Sequence, residues 1–210
     1  VRDGKTPQMD IRLVVEEVAL ICPVELCVTE YEKGYFQKDG YDGYRDWEIH
    51  KQRADKIMKL AQPKSVLDVG CAYGYVVKHL IEKGIYAVGM DVSEFAEKMA
   101  QNHIPQNFVR HDMRETPYPF RTQEFDLVYC EGVLEHIEEE YIPRIMTEFA
   151  RISAERIIQV SFKSHSQADK EEGHVLLMDN GWWLTHIPNG TWLAYQENAT
   201  QDNLIWLYKG

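Results

Sequence analysis

No stretch of this chain holds the roughly 20 consecutive apolar residues that a membrane helix needs, so a soluble protein with no membrane partner is expected. Cysteine is scarce. Cys22, Cys27, Cys71 and Cys130 form no C-x-x-C pair and no metal-ligand spacing, which argues against a zinc site or a disulfide scaffold and for free thiols in a reducing, cytoplasmic compartment. The N-terminus lacks the basic-then-apolar order of a signal peptide; its apolar stretch from Leu13 to Ile21 contains Glu16 and Glu17, which suits an amphipathic helix. The sequons at Asn189 and Asn198 would matter only in a secreted protein and are read as chance. Basic residues are also short: 23 Lys and Arg stand against 34 Asp and Glu, a formal charge of −11. With no local basic patch, that balance repels phosphate backbones and excludes nucleic acid as the expected partner. Repeats and low-complexity runs are absent, and 44% apolar content over 210 residues fits one globular unit.

What the chain does have is strands alternating with helices. From Asp46, Trp47, Ala54, Ile57, Met58 and Ala61 recur at helical spacing until Pro63. A strand, 65 to 69, leads to a helix from Tyr75 to Lys83 with Gly84 as its stop. A second strand, 85 to 91, is followed by a helix capped by Ser93, and a third strand covers 107 to 112. Pro117 and Pro119 disfavour a long helix afterwards. Residues 125 to 130 form a fourth strand, apolar on both faces, and the next helix carries Ile137, Tyr141, Ile145, Phe149 and Ile152 on one stripe. A fifth strand runs from 156 to 162. "TWLAYQE" and "LIWLYK" then lie too close for a crossover helix and are expected to pair antiparallel. The expected fold is α/β and doubly wound, a mostly parallel sheet closed by an antiparallel hairpin.

The first strand runs into a glycine-broken turn, "SVLDVGCAYGYVV" (65 to 77), where an open sheet of this kind binds ligands. A dinucleotide fingerprint starting at Gly70 would need glycines where Ala72 and Tyr75 stand, and a P-loop would need Lys after Gly74. What is left is D-x-G-x-A-x-G. On those residues "VLDVGCAYG" (66 to 74) resembles the first motif of the class I, Rossmann-like S-adenosylmethionine-dependent methyltransferases, with Ala72 for the commoner middle glycine. The similarity covers residues 65 to 162 and extends to the small-molecule enzymes of the methyltransferase type 11 group.

The resemblance implies seven strands with an antiparallel C-terminal strand, and S-adenosylmethionine as cofactor, giving S-adenosylhomocysteine, with no metal. It implies that Asp68, Gly70, Cys71, Ala72 and Gly74 bring backbone to the methionine part. Asp91, beside Val92, would accept from the ribose hydroxyls. His111-Asp112-Met113 resembles the adenine site, with Asp112 accepting from the exocyclic amine and Met113 against the ring. "FDLVYCEGVLEHI" (125 to 137) resembles the motif after strand four, where Glu131 approaches the sulfonium end; Glu135 and His136 read as helix-start residues there.

Methyl transfer asks a site to align the acceptor, exclude water and remove a proton from a hydroxyl or ammonium. Two segments outside the shared core qualify as acceptor walls. Residues 31 to 47 are rich in Tyr and Gly and read either as an aromatic lid contributing Tyr35 and Tyr44 or as a surface loop. Residues 164 to 187 resemble the acceptor wall of small-molecule and sugar-modifying members, with Trp182 lining it. His165, His174 and His186 match no compact metal set. His174 reads either as the general base, an imidazole of ordinary pKa about 6.5 being mostly neutral at pH 7, or as a residue that fixes its segment. The domain division expected is an N-terminal lid segment, 1 to 45, and a methyltransferase domain, 46 to 210, in a monomer or homodimer. O- or N-methylation of a small molecule is expected; a catalytically silent cofactor-binding subunit and, less favoured, an NAD-dependent oxidoreductase are the alternatives.

Overall fold

The computed structural model describes residues 31, 33–36, 44–161, 174–176, 178, 180–186, 191–195 and 203–209. The amphipathic helix expected at 13 to 21, the sequon residues Asn189 and Asn198, Cys22, Cys27, His165 and the expected acceptor wall before His174 lie outside them. In chain order the elements are α1 (Lys33–Phe36), α2 (Glu48–Leu60), β1 (Ser65–Val69), α3 (Tyr75–Glu82), β2 (Tyr86–Asp91), α4 (Glu94–Ala100), β3 (Phe108–Arg110) and β4 (Leu127–Glu131). Two 3-10 turns, Leu134–His136 and Glu139–Tyr141, precede α5 (Ile142–Ile152), β5 (Glu155–Ser161), α6 (Asn180–His186), β6 (Thr191–Tyr195) and β7 (Asn203–Lys209).

Strands β1 to β5 pair in parallel in the order β3-β2-β1-β4-β5, so the chain winds outward from β1 in both directions. The backbone of β7 pairs antiparallel with β5, and β6 pairs antiparallel with β7. Side-chain alternation sorts the core. Leu67, Val69, Val88, Met90, Val128 and Cys130 face one cluster, which holds Ile145, Phe149 and Ile152 of α5 together with Trp183. Val66, Ala87, Leu127 and Tyr129 face the other, where Ala54 and Ile57 of α2 meet Val76, Val77 and Leu80 of α3. Burying both faces is what a run of apolar residues in a parallel strand requires, and each fully buried Leu, Ile or Phe contributes about 1.5–3 kcal/mol.

Local chemistry sets the boundaries. Ser93 Oγ accepts the Ala96 N–H at 3.0 Å, capping α4 as expected. The expected stripe from Ile137 to Ile152 is broken: only Ile145, Phe149 and Ile152 of those residues lie on α5, which starts at Ile142 with Pro143 in its first turn. Proline has no N–H to donate to the preceding turn, and it restricts the residue before it. The chain ahead of it folds instead as the two short 3-10 turns.

Candidate active site

Because β1, β2 and β4 are parallel neighbours, their carboxyl ends open on one side of the sheet. A cavity of about 310 Å³ lies there, with Val69, Gly70, Met90, Asp91, Glu131 and Val133 on its wall, at the point where the strand order reverses.

The turn after β1 is built by left-handed backbone. Gly70 has φ +76°, Ala72 +49° and Gly74 +73°. Gly70 N–H and Cys71 N–H both donate to Met90 O, at 2.8 and 3.2 Å, which ties the turn to β2. Ala72 keeps the αL conformation at the cost of roughly 1–2 kcal/mol that a Cβ brings there. Its N–H donates to Asp91 Oδ2 at 2.8 Å, while Asp91 Oδ1 accepts from Ser93 N–H at 3.0 Å. Asp91 thus clamps the turn to the start of α4, and each oxygen keeps a lone pair for a further donor. Burial raises its carboxyl above the usual range, against the Ser93 and Ala72 N–H bonds.

Of the other residues expected to hold a cofactor, Gly70, Ala72, Val92, Asp112, Met113 and Glu131 line the cavity. Three do not. Asp68 is 4% exposed beneath it; the Cys71 side chain is buried toward Gly89, where an added Cβ would lie 2.5 Å from Cys71 Sγ; and Gly74 starts α3. Burial pushes Asp68 up to about 8, with Glu131 and Asp91 adding to the rise and Arg53 opposing it. Met113 is buried, and its carbonyl accepts the Tyr118 hydroxyl at 2.7 Å.

Arg53, on α2, is the residue that sequence reasoning missed. It lines the cavity, and its Nε lies 3.0 Å from Glu131 Oε1, while Glu131 also receives the Tyr129 hydroxyl. Nothing in the periodicity of α2 distinguishes Arg53 from its charged neighbours; packing α2 on α3 delivers it. Three carboxyl groups, Asp68, Asp91 and Glu131, thus gather around the Arg53 guanidinium at the cavity floor.

The far wall is aromatic. Tyr35, Phe36 and Tyr44 line the cavity, and Phe36 and Tyr44 each lie 4.8 Å, centroid to centroid, from Tyr73 of the turn. Burial drives the Tyr44 hydroxyl far above the usual phenol range. His174 and His136 also line the cavity, their rings 4.7 Å apart and inclined at 67°, and Tyr31 links them to the aromatic wall, 5.1 Å from Tyr35 and 6.1 Å from His136. Val175 N–H and Leu176 N–H donate to Glu135 O at 2.9 and 3.0 Å, fixing this juxtaposition through the backbone. His136 sits in the first 3-10 turn rather than at the start of a helix. Trp182 stacks on His186 at 3.8 Å and meets Trp183 edge-on beside the core, away from the described residues that line this cavity. Among the described residues no His, Cys, Asp and Glu group could hold a metal ion.

Residues 66–155 match a protein family described as a methyltransferase domain. A ubiquinone biosynthesis O-methyltransferase of Hahella chejuensis (strain KCTC 2396) is 34% identical over 98 residues, 44% of this chain and 41% of that protein. One of Bordetella avium (strain 197N) is 31% identical over 98 residues, 43% and 41% of the two chains. The chain thus spans about two fifths of the length of these curated relatives. Among solved structures, PH0226 protein from Pyrococcus horikoshii OT3 superposes with a TM-score of 0.66 at 20% identity, covering 84% of this chain and 98% of its own. A SAM dependent methyltransferase from Archaeoglobus fulgidus gives 0.59 at 17% identity, over 73% and 74% of the two chains. Over residues 66–155 the chain is thus similar to a methyltransferase domain, and its doubly wound sheet is the fold of these solved structures.

Proposed function

We propose that this chain transfers a methyl group from S-adenosylmethionine to a hydroxyl of a small molecule. The observation that carries the reading is Asp91, held between the Ala72 and Ser93 N–H groups on the wall of a cavity at the sheet's switch point. The residues present fit the cofactor. Asp91 has acceptor capacity for ribose hydroxyls, Met113 gives a buried apolar surface for a base, and an acidic floor favours the cationic ammonium and sulfonium groups. When bound, S-adenosylmethionine supplies an activated methyl group, and the chain's work is to align the acceptor, exclude water and accept its proton. The aromatic wall of Tyr35, Phe36 and Tyr44 shields the cavity, which supports reading residues 1–45 as a lid on a domain of residues 46–210. His136 and His174 sit at its acceptor end. That the cavity extends to them favours an enzyme over a silent cofactor-binding subunit, in which this end would be closed.

The relatives' names place those proteins in ubiquinone biosynthesis as O-methyltransferases, which supports oxygen as the atom methylated. The antiparallel pairing of β7 with β5 supports the full seven-stranded sheet of the family. The formal charge of −11 supports a small acceptor over nucleic acid. The free, buried thiols of Cys71 and Cys130 support a reducing, cytoplasmic setting. Among the described residues no helix is long and apolar enough to cross a membrane.

Calorimetric titration with S-adenosylhomocysteine and with NAD tests the reading: the first should bind and the second should not. Asp91→Ala should weaken the first by about 1.5–3 kcal/mol, the scale of charge-assisted hydrogen bonds. It should also lower the melting temperature, because Ala72 and Ser93 lose their acceptor; Asp91→Asn, of the same shape but with an NH2 in place of one accepting oxygen, should lose less stability. Full affinity in folded Asp91→Asn and Asp91→Ala proteins would remove the ribose assignment.

Asp68 gives a second readout. Held at about 8, its carboxyl is mostly protonated at pH 7 in the free protein. An ammonium brought to the floor favours the ionised form, so binding should release protons at pH 7, and affinity should rise between about pH 6 and 8. Titrations at pH 7 in two buffers of different ionisation enthalpy measure the release. Identical heats in both would show that Asp68 does not sense the ligand.

A further inference from the structure

Asp112, at the end of β3, does not stand alone on the cavity wall. Arg114 Nε lies 3.0 and 3.1 Å from its two carboxylate oxygens, Arg114 Nη2 lies 2.5 Å from Oδ2, and the Arg114 backbone N–H donates to Oδ1 at 2.9 Å. Both side chains are largely shielded, Arg114 14% and Asp112 11% exposed. The guanidinium is itself held, with Nη1 3.8 Å from Glu138 Oε2 and the group 5.8 Å from the Tyr141 ring centroid. A carboxylate offers about four acceptor positions. The Arg114 backbone N–H, its Nε–H, shared between the oxygens, and its Nη2–H take up about three of them.

We infer that Arg114 is a positioning residue for base recognition: its fork fixes Asp112 as an ionised carboxylate with one acceptor position left, facing the cavity. This rests on the proposed cofactor. A carboxylate locked in this way accepts from a ligand's amino group and repels an oxygen at the same place, so it selects a 6-aminopurine and rejects a 6-oxopurine. A free carboxylate discriminates less, because it can rotate away or take up a proton to donate to the oxygen. Consistent with the lock, burial pushes the Asp112 carboxyl up, but the Arg114 bonds outweigh it and hold it below the usual range. Lysine cannot reproduce the effect: a point charge on a flexible stem carries no planar fork.

The test is calorimetric titration of wild-type, Arg114→Ala and Arg114→Lys proteins with S-adenosylhomocysteine and with S-inosylhomocysteine, which differ in the 6-amino and 6-oxo group. Wild type should prefer the adenine ligand by about 10–100-fold, the range of one charge-assisted hydrogen bond. Both variants should lose most of that preference, chiefly by weakened binding of the adenine ligand. If Arg114→Ala does not fold, Arg114→Lys alone decides. Retention of the wild-type ratio overturns the inference. So does an equal loss for both ligands, which would make Arg114 a structural prop only. Wild-type protein that binds neither ligand overturns the cofactor reading itself, which the wild-type arm shows before any variant is compared.

Discussion

Gly70→Val is expected to abolish cofactor binding and to lower the melting temperature by roughly 5–20 °C, taking about 2–4 °C per kcal/mol for a chain of this size. A Cβ at Gly70 would lie 2.3 Å from Val133 Cγ2, 2.8 Å from Cγ1 and 3.1 Å from Cβ. The residue also has φ +76°, where a β-branched side chain is a steric outlier. The strained backbone costs about 1–3 kcal/mol, and overpacking against Val133 about as much again. From the sequence alone the glycine answers to a ligand approaching a left-handed turn; the fold adds Val133, a residue after β4, as a second reason. The two reasons can be separated. In Gly70→Ala with Val133→Ala, the two closest contacts disappear, and thermal stability should recover in large part. Binding should stay weak, because the new methyl group still borders the cavity. Full-strength binding of S-adenosylhomocysteine by this double variant would make the turn a packing feature and nothing more.

The cofactor end was legible in the sequence because its chemistry is local. A strand, a left-handed turn and the following helix start are encoded within residues 65 to 77, and Ser93 caps α4 as its type and place suggest. Asp91 was legible for the same reason, being the last residue of a recognisable strand; that its oxygens also clamp the turn was not, because Ala72 is 19 positions away. Residues delivered by packing left no trace. Arg53 reaches Glu131 only because α2 lies on α3. Asp112 could be picked out by position, but its lock by Arg114 depends on how the chain bends after β3. The broken stripe ahead of α5 did carry a signal: Pro143 marks the first helical turn. A 3.6-residue periodicity alone cannot place that boundary, since Ile137 and Tyr141 fall on the right positions while lying outside α5.

His174→Gln is expected to reduce turnover of a hydroxyl acceptor by about 10²–10⁴-fold, the usual contribution of a positioned acid–base group. Affinity for S-adenosylhomocysteine and the melting temperature should be unchanged. The sequence left His174 between a base and a structural prop. The proposed function gives it the first role, and backbone bonds hold the segment: Val175 and Leu176 donate to the Glu135 carbonyl. The imidazole itself lies on the cavity wall, beside His136. In the proposed reaction His174 accepts the hydroxyl proton as the oxygen attacks the methyl carbon, and that proton passes to solvent after the neutral thioether leaves. Gln keeps a polar side chain of similar reach but cannot take up a proton, so the loss should appear in kcat more than in KM. Raising the pH should restore turnover of an acidic phenol in the variant, because such an acceptor arrives already ionised and needs no base. His136→Gln, measured in parallel, tells which of the two rings the acceptor meets: if it alone reproduces the loss, the base is His136 and His174 orients it. Wild-type turnover in both single variants would remove the imidazoles from the chemistry and leave alignment and water exclusion as the whole mechanism.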